Sequence, residues 1–275
     1  MLQLRPALFI LFLSTLLLAS CTGYQKLLKS GDVTKKYEAA VQYYEKGDFF
    51  KAGTLLEDLV PLLRGRPEAE KAQFYFANTN YQQRNYVLSA YYFKLFSETY
   101  PNSTYTEEAS FLYAKSLFRD SPEFELDQTN TYTAIEAIQD FLNRSPESKF
   151  RPEAESMSQE LQKKLEDKAF SSARLYYQVR YYQSAVTAFS TFQQQFPASA
   201  YNEQAAFMKL SAQYSLAKES VPEKQLERYR EIIPLYQYLI DTYPQSKNLK
   251  AAETMYVAAQ AEIAKLKPAD TAAAK

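Results

Sequence analysis

The chain has no histidine, no tryptophan and one cysteine among its 275 residues. That excludes a Cys/His metal cluster, a Ser-His-Asp triad and any disulfide within the chain. Glycine is confined to Gly23, Gly31, Gly47, Gly53 and Gly65. Everything beyond Gly65 therefore lacks the residue that tight hairpins and phosphate-cradling loops need. Neither sign of charge dominates, with Lys+Arg 32 against Asp+Glu 32. Such a balance gives no means of neutralising phosphates, so nucleic acid is not an expected partner. Paired carboxylates could still act, as in glycosidases, but no acidic pair stands apart from solvated helix faces. Neither catalysis nor a cofactor is expected.

The N-terminus holds the one long apolar run. Arg5 precedes residues 7–19, which are apolar except for Ser14 and Thr15. A spanning helix needs roughly 20 apolar residues, so the run reads as the core of a signal peptide covering residues 1–20. It ends in Leu18-Ala19-Ser20-Cys21, which resembles a bacterial lipobox. The resemblance implies cleavage before Cys21 and lipidation of its thiol and new amine, with several acyl chains giving stable membrane attachment. Thr22 stands where an aspartate would favour the inner membrane, which fits outer-membrane sorting. Lys26, Lys29, Lys35 and Lys36 lie near the anchor and read as a solvated helix face.

What the chain has in abundance is tyrosine, 24 residues, and phenylalanine, 18 residues. They are periodic. Aromatic pairs seven apart fall at Tyr37/Tyr44, Phe74/Tyr81, Phe111/Phe118, Phe170/Tyr177 and Phe207/Tyr214. Seven residues is two helical turns, so each pair shares one face of a helix. A second set runs from a small or branched residue to a stop: Ala52 to Arg64, Ser89 to Pro101, Ala134 to Pro146, Ala185 to Pro197 and Ile232 to Pro244. A bulky apolar residue precedes each stop, at Leu59, Phe96, Phe141, Phe192 and Leu239. The last four copies close on Pro-x-Ser, with Ala109, Ala154, Ala205 or Ala252 following. Proline ends each second helix, and Thr104 with Glu107 reads as a capping box opening the next first helix.

Each copy is thus a helical hairpin. Tyr43, Tyr44, Gly47, Phe49, Ala52 and Leu56 resemble the tetratricopeptide repeat, and the 34-residue spacing from Pro67 to Pro101 matches its length. The expected fold is all-α, a superhelix of about five such hairpins. After a tether over 21–32, the repeats fall near 33–67, 68–101, 102–146, 147–197 and 198–264, with a disordered tail over 265–275. The longer repeats carry insertions: an exposed acidic loop within 119–131, one long helix over 152–180, and extra residues within 218–229. Pro234 predicts a kink. Phe93, Phe96, Phe141, Phe189 and Phe192 on second helices are expected core. The first helices should line a concave face, with the ten paired rings and Val41, Asn78, Lys115, Arg174 and Ser211 presented to an extended peptide.

The lipobox, the short tether and repeats closing in Tyr-Pro-Asn-Ser-x-Tyr-Thr-Glu-Glu-Ala (100–109) together resemble the BamD family of outer-membrane assembly lipoproteins. The likeness covers Cys21 to about Ala264 and is most specific over 100–118, at Leu126-Asp127-Gln128 leading into 132–146, and at the lipobox. Pro61 and Arg64, and Gln195-Phe196-Pro197, depart from the usual pattern. The resemblance implies a scaffold on the periplasmic face of the outer membrane. It would receive unfolded β-barrel precursors in its N-terminal repeats and dock the periplasmic domains of BamA, beside other lipoproteins of the complex, in its C-terminal repeats. On that reading Tyr37, Tyr44, Phe74, Asn78, Tyr81, Phe111 and Phe118 are candidate client contacts. Phe170, Arg174, Tyr177, Phe207 and Tyr214 are candidate docking residues. Two rivals remain: a repeat lipoprotein recruiting cell-wall or division proteins, and a glycan-binding outer-membrane lipoprotein. The second would be expected to expose tryptophan, which this chain lacks.

Overall fold

A computed structural model describes residues 23–266. The signal peptide, Cys21, Thr22 and residues 267–275 of the expected tail lie outside the described residues. Twelve helices follow a helical segment at 23–28, and the described residues contain no strand. They are α1 Val33–Glu45, α2 Phe49–Leu62, α3 Ala69–Gln82, α4 Tyr86–Thr99, α5 Thr106–Asp120 and α6 Thr129–Arg144. There follow α7 Arg151–Gln178, α8 Tyr182–Gln195, α9 Asn202–Lys218, α10 Pro222–Arg230, α11 Ile232–Thr242 and α12 Leu249–Leu266. The all-α hairpin architecture is the one expected.

The chain divides into two compact units. One comprises the described residues to Pro122 and Asp127–Leu161; the other comprises Glu123–Leu126 and the described residues from Gln162. In the first unit each helix from α1 to α6 packs on the next. Among the first helices α3 also touches both α1 and α5, while the second helices make no comparable contact. The first-helix side is therefore the inner side of that stack. In the second unit α9 packs against α8, α10, α11 and α12. The second-helix rings Phe93, Phe96, Phe141, Phe189 and Phe192 are all buried, as expected.

The turns between helices repeat one device. Gly47, Arg84 and Arg180, each three residues past the second ring of a pair, adopt φ of 78°, 63° and 64°. The next residue then reaches back to close the helix, as Asp48 N to Tyr43 O at 2.9 Å, Asn85 N to Asn80 O at 2.9 Å and Tyr181 N to Tyr176 O at 2.9 Å. Glycine meets that left-handed geometry freely, whereas the two arginines hold it at some cost.

The Pro-x-Ser signature has a physical role other than the capping box. Thr104 and Glu107 do not pair; α5 starts later, at Thr106, without a side-chain cap. Ser103 Oγ instead accepts from Tyr105 N at 3.0 Å and donates to Glu70 at 2.5 Å. Ser148 likewise accepts from Phe150 N at 3.1 Å and donates to Glu107 at 2.6 Å. Ser199 accepts from Tyr201 N at 3.0 Å and donates to Glu166. Each glutamate sits one helical turn before the first ring of its pair, so the serine clasps the hairpin stop onto its own first helix. The last repeat keeps the turn, Asn248 N to Ser246 Oγ at 3.2 Å, with Asn248 where the others carry a ring.

Four local expectations are revised or refined. The segment read as tether is packed from Tyr24 onward, since that ring is buried among the first-hairpin core and lies edge-on to Tyr43. α12 runs on to Leu266, two residues into the segment assigned to the tail. The loop within 119–131 does expose Glu123, Glu125 and Asp127, but its backbone is fastened. Lys168 Nζ donates to the carbonyls of Phe124, Glu125 and Leu126 at 3.2, 3.2 and 2.8 Å. At Pro234 the expected kink takes the form of a break: the inserted residues form α10, the chain turns at Glu231, and Pro234 falls in the first turn of α11, where no backbone donor is missed.

Candidate partner-binding surface

The paired rings split into two classes. Phe74, Phe111 and Phe170, the first rings of the three middle pairs, are 3%, 2% and 5% exposed, whereas Tyr37 and Phe207 are half-buried. The three buried rings meet the second helix of their own hairpin, Phe74 lying 5.7 Å from Phe93 and Phe170 lying 5.5 Å from Phe192. The ring four residues after the closing proline then covers each of them. Tyr105 stacks on Phe74 at 4.7 Å, Phe150 on Phe111 at 4.4 Å and Tyr201 on Phe170 at 4.5 Å. These three phenylalanines are core, which corrects their assignment as contact residues. Helical spacing places them on the expected face, but the following hairpin stop roofs them over.

The second rings are half-buried and sit beside their turns. Tyr44 lies edge-on to Phe49, and Tyr81 and Tyr177 tilt against Tyr86 and Tyr182. Phe118 is half-buried under the Arg119 guanidinium, 5.7 Å from its centroid. These rings keep part of their surface free.

In the first unit the sequence-identified residues Tyr37, Tyr44 and Asn78 join three that sequence reasoning missed: Lys71, Tyr75 and Tyr105. Tyr44 stacks on Tyr75, centroids 3.7 Å apart and 12° from parallel. Asn78 Nδ2 donates to the Tyr44 hydroxyl at 2.5 Å. Burial, with Tyr75, Glu108 and Tyr105 nearby, pushes the Tyr44 phenol up to about 12. Burial also raises Tyr37, against the field of Lys71. Lys71 itself lies 5.0 Å from the Tyr75 centroid. Burial works to lower its pKa, but the phenols of Tyr75, Tyr37 and Tyr105 together raise it above the ordinary lysine value. The result is a patch of tyrosine rings around one firmly protonated amine. Further along the same side, Lys115 pairs with Glu153 at 2.8 Å and lies 5.9 Å from the Tyr81 centroid.

Chemically this patch offers ring faces to apolar side chains, hydroxyls to backbone amides and carbonyls, and one ammonium to a carbonyl or carboxylate. A signal for one of the missed residues, Tyr105, was available. Tyr105, Phe150 and Tyr201 recur four residues after Pro101, Pro146 and Pro197.

In the second unit Tyr177 and Phe207 come together. They line one cavity of about 490 Å³ with Glu203, Met208, Ser211 and Lys247. Arg174 is exposed and Tyr214 is half-buried against Tyr229, 6.3 Å away, so neither joins that cavity. Among the described residues there is no cluster of His, Cys, Asp or Glu able to hold a metal ion, and no helix long and apolar enough to cross a membrane.

Comparison with known proteins places the chain. The family described as "YfiO: Outer membrane lipoprotein" matches residues 29–229, most of the chain. A protein of Aquifex aeolicus (strain VF5), provisionally named as the outer membrane protein assembly factor BamD, is 29% identical over 131 residues. That match covers 45% of this chain and 41% of the relative's length. The family match takes in α1–α9 and with them the phenol–lysine patch and the Tyr177–Phe207 cavity apart from Lys247 and Asn248. The chain belongs to the YfiO family of outer membrane lipoproteins.

Proposed function

We propose that this protein is a non-catalytic, lipid-anchored scaffold of the outer-membrane β-barrel assembly machinery. Cys21 carries the acyl chains and holds the protein on the periplasmic face of the membrane. The phenol–lysine patch of the first unit receives unfolded β-barrel precursors. The Tyr177–Phe207 cavity and the exposed Arg174 serve the docking of the periplasmic domains of BamA, beside other lipoproteins of the complex.

The observation that carries this reading is the patch itself, Tyr37, Tyr44, Lys71, Tyr75 and Tyr105 gathered on the inner first-helix side. An unfolded barrel strand alternates apolar and aromatic side chains with unpaired backbone groups. Rings at low entropic cost together with phenol hydroxyls match both halves of that pattern. Family membership supports the membrane setting, and the provisional name of the Aquifex protein supports the assembly role.

Photo-crosslinking in cells tests it. A crosslinker at Tyr37 or Tyr75 should capture newly made barrel precursors, and one at Tyr177 or Phe207 should capture BamA. Capture of cell-wall synthases from either position, with no barrel precursor, would transfer the protein to the rival recruiting role. In parallel, Cys21→Ser should move the protein from the membrane to the soluble fraction, and its retention would refute the anchor.

A further inference from the structure

Two inter-repeat grooves on the second-helix side, one in each unit, lie at equivalent positions with opposite chemistry. In the first unit the groove lies between α4, α5 and α6, has a volume of about 340 Å³ and is lined by the carboxylates of Glu98, Glu136 and Asp140 beside Lys94 and Arg144. In the second unit it lies between α8, α9 and α11, with a volume of about 230 Å³. There Gln194 stands where the first has Glu98, Tyr238 where it has Asp140, and Lys209 where it has Tyr113. No carboxylate lines the second groove.

Two donors are left over in it. Lys209 is half-buried and forms no ion pair or hydrogen bond among the described residues, and burial depresses its pKa. Gln193 Nε2 is fully buried without an acceptor. Its counterpart Ser97 is satisfied, donating to Phe93 O at 3.1 Å. An unmet buried amide and a desolvated ammonium are each unfavourable alone. Both belong to the lining of one groove, and two unmet donors there suit the two oxygens of one carboxylate. The remaining lining, Ala206, Leu235 and the Tyr238 ring, is apolar.

We propose that this groove is a carboxylate-binding site, taking a carboxylate carried beside an apolar group of another polypeptide onto Lys209 and Gln193. The carboxylate could be the free C-terminus of a chain or an internal acidic side chain, and both present the same oxygens. The site rests on the groove alone and does not depend on the assembly role.

Lysine-selective acetylation of the full chain in detergent, read by mass spectrometry at Lys209, tests the site. The probes are N-acetyl-Ala-Ala-Leu with a free carboxylate, N-acetyl-Ala-Glu-Leu amide, and N-acetyl-Ala-Ala-Leu amide, which bears no carboxylate. At least one carboxylate probe should slow Lys209 acetylation by about fivefold or more over the third peptide, the equivalent of roughly 1 kcal/mol. Which of the two protects identifies the source, terminus or side chain. Gln193→Leu, which removes the orphaned amide and should fold normally by circular dichroism, should abolish most of the protection. Equal labelling with all three peptides, or protection unchanged in Gln193→Leu, would overturn the proposal.

Discussion

The two units run the same hairpin grammar with different polar chemistry, and the contrast separates what builds the repeat from what the repeat is used for. In both units a first-helix phenylalanine is boxed in by second-helix rings and roofed by a ring past the closing proline: Phe74 under Tyr105, Phe170 under Tyr201. In both a serine clasps a glutamate one turn upstream. These are the invariants of the fold. What changes is at the edges. The first unit gathers phenols around Lys71 and fills its outer groove with carboxylates. The second opens a cavity at Tyr177 and Phe207, and its outer groove holds two donors with nothing to receive them. A shared frame with unlike linings is how a repeat protein gives different partners different addresses.

The largest test asks whether the units are energetically separate. Phe96→Ala and Phe192→Ala remove equivalent, fully buried rings, one in each unit. Each should cost about 3–5 kcal/mol. Hydrogen exchange should quicken within α3–α6 for the first variant and within α8–α12 for the second. Acceleration throughout the chain in both variants would show one cooperative body and dissolve the comparison.

The clasp provides a smaller and sharper test. Ser148→Ala loses both the turn and the bond to Glu107, whereas Ser246→Ala loses a turn for which no glutamate bond accompanies the serine. The first should destabilise by about 1–2 kcal/mol and the second by about half that, measured by urea denaturation. Equal losses would mean that the glutamate contributes nothing.

Much of this frame is legible in the sequence, because it is local and periodic. Seven-residue ring spacing in every copy, with a twelve-residue run to a proline and Pro-x-Ser in the last four, is enough to expect a chain of helical hairpins. What escapes is radial position. Spacing shows that Phe74 and Tyr81 share a helix face, but only the fold reveals that Tyr105, 31 residues further on, roofs one and leaves the other half-open. The capping box failed for a related reason: Glu107 satisfies the pattern after Thr104, yet its carboxylate has a better partner in Ser148, 41 residues away. Lys209 is less visible still, since a lysine on a helix reads as solvated until the neighbouring helices are known.

Lys209 also gives the contrast a pH dependence. It is protonated in both folded and unfolded chains near neutrality, so the folded state there bears the whole desolvation penalty. That penalty fades as pH rises through its depressed folded pKa toward the ordinary value of 10.5. Tyr238 is the other titratable group lining the groove. Lys209→Met should therefore raise Tm at pH 7 by about 2 °C, with the advantage shrinking as the medium becomes alkaline. A Tm lowered at pH 7 would show that the ammonium is favourably held after all.

The smallest effect concerns the two left-handed arginines. Arg84 and Arg180 occupy the same turn position, with φ of 63° and 64°, where the first hairpin has Gly47. A side chain there is strained by roughly 1–2 kcal/mol, while glycine gives back part of that through its freer unfolded state. Arg84→Gly should thus stabilise by about 0.5–1 kcal/mol net. Arg180 differs in one respect: its guanidinium bonds Glu219 at 2.7 Å on the surface. An exposed pair of that kind is weak and screened by salt, and at low salt it offsets most of the relief. Arg180→Gly should therefore leave Tm nearly unchanged at low salt and gain on wild type as salt screens the pair, whereas Arg84→Gly should show the same gain at every ionic strength. If the two variants respond to salt alike, the Arg180–Glu219 pair carries no energy and the two turns are equivalent.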